Sequence, residues 1–146
     1  MTLEEVVGDI LDYVSEDVDF AYKLIVGSDS HLRDATCFVT AVIIHRVGKG
    51  ARYYYTKKHA YKITSLRQRM FYEASLSLSM ADQLVSLLSC RGRDDLKVEI
   101  HLDVGTHGET RELVKEIIGM VVGSGFDAKI KPNACGASKV ADRYTK

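Results

Sequence analysis

Four carboxylates occupy positions from which a sheet could gather them into a metal site. Asp29 follows the run Leu24-Ile25-Val26-Gly27-Ser28, where a β-branched apolar stretch meets a glycine and then an acid between two hydroxyls. A buried strand gains nothing from an aspartate, because desolvating its charge without a partner is strongly unfavourable. Strand ends in α/β sheets, by contrast, are where ligands and metals are held. Gly-Ser-Asp-Ser is also good turn chemistry, so this stretch alone reads either way. Glu73 interrupts the helical row Leu66, Met70, Ser77 and Met80; Asp103 follows a short apolar strand; Asp142 lies between Ala141 and Arg143 in the last segment. Drawn to one sheet edge, these oxygens suit hard divalent ions, Mg²⁺ or Mn²⁺. Two such ions roughly 4 Å apart activate a water and stabilise the leaving oxygen of a phosphodiester. Each acid also fits a plain role: Asp29 and Asp103 as turn residues, Glu73 as a solvated helix residue, Asp142 as a surface partner of Lys146.

His31, His59, His101 and His107 form a competing set. His31 follows Asp29 by two residues and His101 precedes Asp103 by two, so a His/Asp site for Mn²⁺, Fe²⁺ or Zn²⁺ is the alternative, or one imidazole shuttles protons. His45 and His59 read as surface residues. Lys57, Lys58, Arg67 and Arg69, with Tyr53, Tyr54, Tyr55 and Tyr61 interleaved, make a local basic stretch to which Arg143 adds. Arginines grip phosphates and tyrosines stack on unpaired bases, which makes the stretch a candidate nucleic-acid surface. A solvated strand-to-helix connection is the plain reading of the same residues.

The elements that must position these groups follow from patterning. A helix is expected over residues 2 to about 15, capped by Thr2, with Val6, Ile10, Leu11 and Val14 on one stripe. Strands are expected at Tyr22–Ser28, Cys37–Val47 and Arg52–Lys57, joined by short links into an antiparallel meander with a Gly48-Lys49-Gly50 turn. A long helix from Ser65 to about Leu88 follows, then a strand Lys97–Leu102, a helix from Thr110 to about Val122, a strand Asp127–Lys131 and a final helical turn or two over Ser138–Lys146. Three antiparallel strands and then two βα units imply a mixed five-stranded sheet flanked by helices, an α/β fold. A right-handed crossover after the third strand sets the fourth parallel to the first and beside it, roughly 4.8 Å away, so Asp29 and Asp103 leave the sheet at the same end.

Composition bounds the answer. At 146 residues the chain reads as a single domain with ordinary apolar content. Its 20 basic and 20 acidic residues cancel, so a nucleic-acid surface must come from local clustering. Three scattered cysteines, Cys37, Cys90 and Cys135, make neither a disulfide scaffold nor a zinc knuckle. The acidic start Met1-Thr2-Leu3-Glu4-Glu5 is no signal peptide, and no run reaches transmembrane length. The expectation is a cytoplasmic protein with no membrane partner.

Four segments carry a family resemblance: Val26-Gly27-Ser28-Asp29-Ser30, Ser65-Leu66-Arg67-Gln68-Arg69, His101-Leu102-Asp103-Val104-Gly105 and Val140-Ala141-Asp142-Arg143-Tyr144-Thr145-Lys146. In that order, and with this topology, the chain resembles an uncharacterised bacterial family of the YkuK type, described as ribonuclease H-like. The resemblance implies a ribonuclease H-like fold and a two-metal nuclease carried by Asp29, Glu73, Asp103 and Asp142. Its substrate would be RNA, DNA or a hybrid. Ser30-His31-Leu32-Arg33-Asp34 stands where ribonuclease H proper has a glycine-rich turn. The rival function is a non-catalytic nucleic-acid-binding or partner-binding module on the same fold.

Overall fold

The long apolar run in the second strand dictates the architecture, because such a strand belongs in the middle of a sheet. In the computed structural model, which describes residues 1–32, 34–102 and 111–130, that run lies inside a five-stranded sheet. The elements are α1 (Leu3–Glu16), β1 (Tyr22–Leu32), β2 (Thr36–Arg46), β3 (Ala51–Ala60), α2 (Leu66–Cys90), β4 (Val98–His101), α3 (Arg111–Gly123) and β5 (Asp127–Lys129). The sheet order is β3-β2-β1-β4-β5. Strands β1 to β3 form the antiparallel meander, and β4 runs parallel to both β1 and β5. The expected α/β fold is therefore present, with β4 beside β1. The final helical turns expected over Ser138–Lys146 lie outside the described residues.

Local chemistry explains the boundaries. Thr2 and Glu5 close a capping box on α1, each side chain accepting from the other's backbone N–H at 3.2 Å. Ser65 caps α2 by accepting from the Gln68 N–H at 3.3 Å. Gly48 and Gly50 take φ of 86° and 94°, the left-handed values that let β2 reverse into β3 without a Cβ penalty.

Strand alternation then sorts the core onto two faces. Leu24 and Val26 of β1, Val42 and Ile44 of β2, and Val98 and Ile100 of β4 pack with the apolar stripes of α1, α2 and α3. Ile25, Val39, Ala41 and Ile43 make a second buried cluster on the opposite face. All three described helices thus lie on one side of the sheet. Among the described residues no helix is long and apolar enough to cross a membrane.

Candidate functional site

The strand expected to end at Ser28 continues to Leu32. Along its β2 flank β1 is paired throughout, from Tyr22↔Arg46 to Leu32↔Thr36, with Asp29 opposite Val39. Along its other flank, pairing with β4 runs only from Leu24↔Val98 to Gly27↔His101. Asp29 is therefore inside the sheet on one side and two residues past the recorded β4 pairing on the other. Ser-Asp-Ser-His is turn-like in isolation, but β2 presents the extended Thr36-Cys37-Phe38 edge, and β1 completes that ladder.

Alternation assigns Ser28 and Ser30 to the helix-covered face and Asp29 and His31 to the opposite one. On the helix-covered face, Ser28 Oγ lies 3.0 Å from Thr40 Oγ1 and 2.8 Å from Ser77 Oγ of α2. All three residues are buried, and their hydroxyls satisfy one another where water is excluded. One turn earlier on α2, Glu73 is half-buried and accepts a hydrogen bond from Ser30 Oγ. Glu73 thus faces inward, in the row Met70, Ala74 and Ser77, and is fastened to the residue adjacent to Asp29. Met70, Glu73, Ala74 and Ser77 line a small cavity with Ser28, His101, Leu102 and Ile117.

His101 ends β4 beside Gly27 and is 6% exposed. Its Nδ1 is buried without a hydrogen-bond partner among the described residues. Burial lowers the imidazole's pKa below its ordinary value; the nearby Glu99 carboxylate opposes this, and Lys129 and Lys23 reinforce it. His31 is half-buried, on the Asp29 face and opposite Cys37.

The structure divides the basic stretch instead of gathering it. Lys57 is exposed on the Asp29 face of β3, in the row Lys57–Val39–Asp29. Lys58 turns to the helix-covered face, its Nζ 5.4 Å from the centre of the Tyr72 ring. Arg67 reaches across to α3, bonding Glu116 at 2.9 Å and covering the Phe71 ring. Arg69 stands one turn before Glu73, its Nε buried without a hydrogen-bond partner among the described residues. Asp103, Asp142 and Arg143 lie outside the described residues.

Among the described residues no three His, Cys, Asp or Glu side chains come together as a metal cage, so Asp29 and Glu73 do not make one by themselves. Their chemistry fits: carboxylate and hydroxyl oxygens suit a hard divalent ion. The hydroxyl chain Thr40–Ser28–Ser77 and the Ser30 contact escape sequence reasoning. A serine at a core-facing strand position, matched by one in the apolar row of a long helix, is the only signal the chain gives for them.

The family model for ribonuclease H-like proteins matches residues 5–146. The chain is also 36% identical over 159 aligned positions to the uncharacterised protein YkuK of Bacillus subtilis strain 168, covering all of this chain and 92% of that one. No solved structure matches. With a mixed sheet of this order, an inward acid on the first long helix and a family match over nearly its whole length, the chain belongs to the ribonuclease H-like family.

Proposed function

We propose that this protein is a divalent-metal-dependent nuclease that hydrolyses nucleic-acid phosphodiester bonds, built as one domain over residues 1–146. The observation that carries the reading is the Ser30–Glu73 hydrogen bond, which ties an inward helix carboxylate to the residue next to Asp29. Asp29 and Asp103 are the core ligands in this reading, Glu73 completes a site and orients water, and Asp142 closes a second site. Bound Mg²⁺ or Mn²⁺, two ions in all, would supply activation of a water and stabilisation of the leaving oxygen. The chain's own part is positional. Ser30 fixes one Glu73 oxygen, while the Ser28–Ser77 contact holds α2 against β1 at that level. Burial lowers the His101 pKa and so favours the imidazole form, which has a nitrogen able to accept a proton, and His31 is the second auxiliary imidazole. Lys57, Lys58, Arg67, Arg69 and Arg143 supply charge for the phosphate backbone.

A second reading, a non-catalytic nucleic-acid-binding or partner-binding module, is favoured by one observation: alternation sends Asp29 to the face opposite Ser30 and Glu73. The deciding experiment sets purified protein against labelled single-stranded RNA, duplex DNA, RNA–DNA hybrid and branched DNA with Mg²⁺ or Mn²⁺, beside the variant Asp29→Asn. Metal-dependent cutting that vanishes in the variant supports the nuclease. Binding by both proteins without cleavage by either hands the fold to the module.

A further inference from the structure

Although the chain is neutral overall, residues 35–72 contain no acidic residue and eight basic ones: Arg46, Lys49, Arg52, Lys57, Lys58, Lys62, Arg67 and Arg69. The fold turns this segment into β2, β3 and the start of α2, so these elements bring no acid of their own to the β3 side of the sheet before Glu73. Arg46, Arg52 and Arg67 are offset by acids from α1 and α3. Among the described residues Lys57, Lys58 and Lys62 are exposed and form no ion pair.

Strand β3 is the sheet edge, and its odd-numbered residues share the Asp29 face. They read Ala51, Tyr53, Tyr55, Lys57, His59. The two tyrosines are 45% and 47% exposed, unusual for such large rings on a strand, while their inner neighbours Ile43, Ala41 and Val39 are buried. Tyr54, between them, points to the other face and bonds Asp9 of α1. Alternate residues on a strand stand roughly 6.8 Å apart, so the face presents two rings, a cation and an imidazole in one file. The file reaches the row Lys57–Val39–Asp29, two strand spacings or about 10 Å from Asp29.

We infer that this strip of β3 is a track for single-stranded nucleic acid, which stacks unpaired bases on Tyr53 and Tyr55, lays its backbone past Lys57 and enters the sheet end at Asp29. A duplex hides its base faces, so exposed rings add nothing to its binding; a single strand uses both the rings and the charge. The inference deepens the nuclease reading in naming where the strand leads, but the binding itself is testable without any cleavage.

The test is fluorescence anisotropy of labelled 12-mers, single-stranded and duplex, in EDTA at low salt. The proteins are the wild type, Tyr53→Thr/Tyr55→Thr and Tyr53→Phe/Tyr55→Phe; threonine keeps strand propensity while removing the ring. Single strands bind more tightly than duplex, the threonine variant loses about tenfold or more, and the phenylalanine variant retains binding. Lys57→Ala reduces the salt dependence by about 0.7 in slope. Equal or tighter duplex binding overturns the inference, as does a folded threonine variant with unchanged affinity. A wild-type dimer that the threonine variant breaks also overturns it, since the strip is then an interface between copies. Retained single-strand binding with no cleavage on adding metal sinks the nuclease and leaves the track standing; cleavage confined to duplex does the reverse.

Discussion

At the Tyr22 end of β1 the charges are guanidinium groups laid over aromatic rings; at the Leu32 end they are carboxylates beside hydroxyls and an imidazole. The first region joins α1 to the sheet. Arg46 lies 4.1 Å from the Tyr13 ring centre, donates to the Tyr13 carbonyl and to the Tyr22 hydroxyl at 3.0 Å each, and meets Glu16. Arg52 covers the same ring and bonds Asp9 and Glu16. Both guanidinium groups there have a carboxylate within reach. The second region holds two acids near one level of the sheet, a buried imidazole whose Nδ1 lacks a partner among the described residues, and a chain of buried hydroxyls. One strand thus joins an end rich in ion pairs and ring contacts to the end that carries the candidate site.

Perturbing each end should give opposite signatures. Asp29→Asn is expected to reduce metal-dependent cleavage by more than about a hundredfold, beyond what losing an outer partner of a metal ligand does. Its melting temperature should hold or rise; a large fall would mean that Asp29 serves the fold. Next in size is Tyr13→Ala, which removes a ring that is 6% exposed and lies beneath two guanidinium groups. Chemical denaturation should register a loss of about 3 kcal/mol, with turnover per folded molecule unchanged. Ser77→Ala tests the border between the two regions. Deleting one hydroxyl of a buried, mutually satisfied set costs about 1 kcal/mol, and here cleavage should fall as well, because α2 then holds Glu73 less firmly against β1. An unchanged cleavage rate would confine that hydroxyl chain to stability. The smallest effect is one of pH. Burial raises the Tyr54 phenol above its ordinary 10.0, helped by the hydrogen bond and charge of Asp9 and opposed by Arg52. The folded state therefore holds that proton more tightly than the unfolded chain, so the contribution is complete below pH 10 and is lost as pH rises further. Tyr54→Phe should flatten this alkaline decline in denaturation midpoints while leaving the Asp29 end untouched.

Much of this arrangement was legible in the chain. The apolar run of β2, the Ser65 and Thr2 caps, the Gly48–Gly50 reversal and the parallel placement of β4 beside β1 all follow from local rules that agree with one another. Where reading and structure part, a neighbour decides. Ser30 to Leu32 extend only because β2 pairs with them, and β3 runs to Ala60 instead of Lys57 for the same reason. Leu66, expected on the inward row, is 50% exposed, while Ala74 and Ala81 carry the tight contact of α2 with the sheet. Small residues at a helix–sheet contact leave little trace in a hydrophobic pattern. The division of Asp29 and Glu73 between two faces was legible in principle from period-two alternation, once β1 is known to continue past Ser28.

The position of β3 at the sheet margin has a consequence for how the molecule behaves in a crowded solution. Among the described residues the outer edge of the ten-residue β3 pairs with no other strand, and such an edge is a template on which a foreign strand can grow. Lys57 and Lys58 are consecutive, so one ammonium group guards each face of that margin. An invading strand would have to desolvate a charge whichever way its side chains alternate, and this keeps an open edge from seeding aggregates while leaving it free to meet a polyanion.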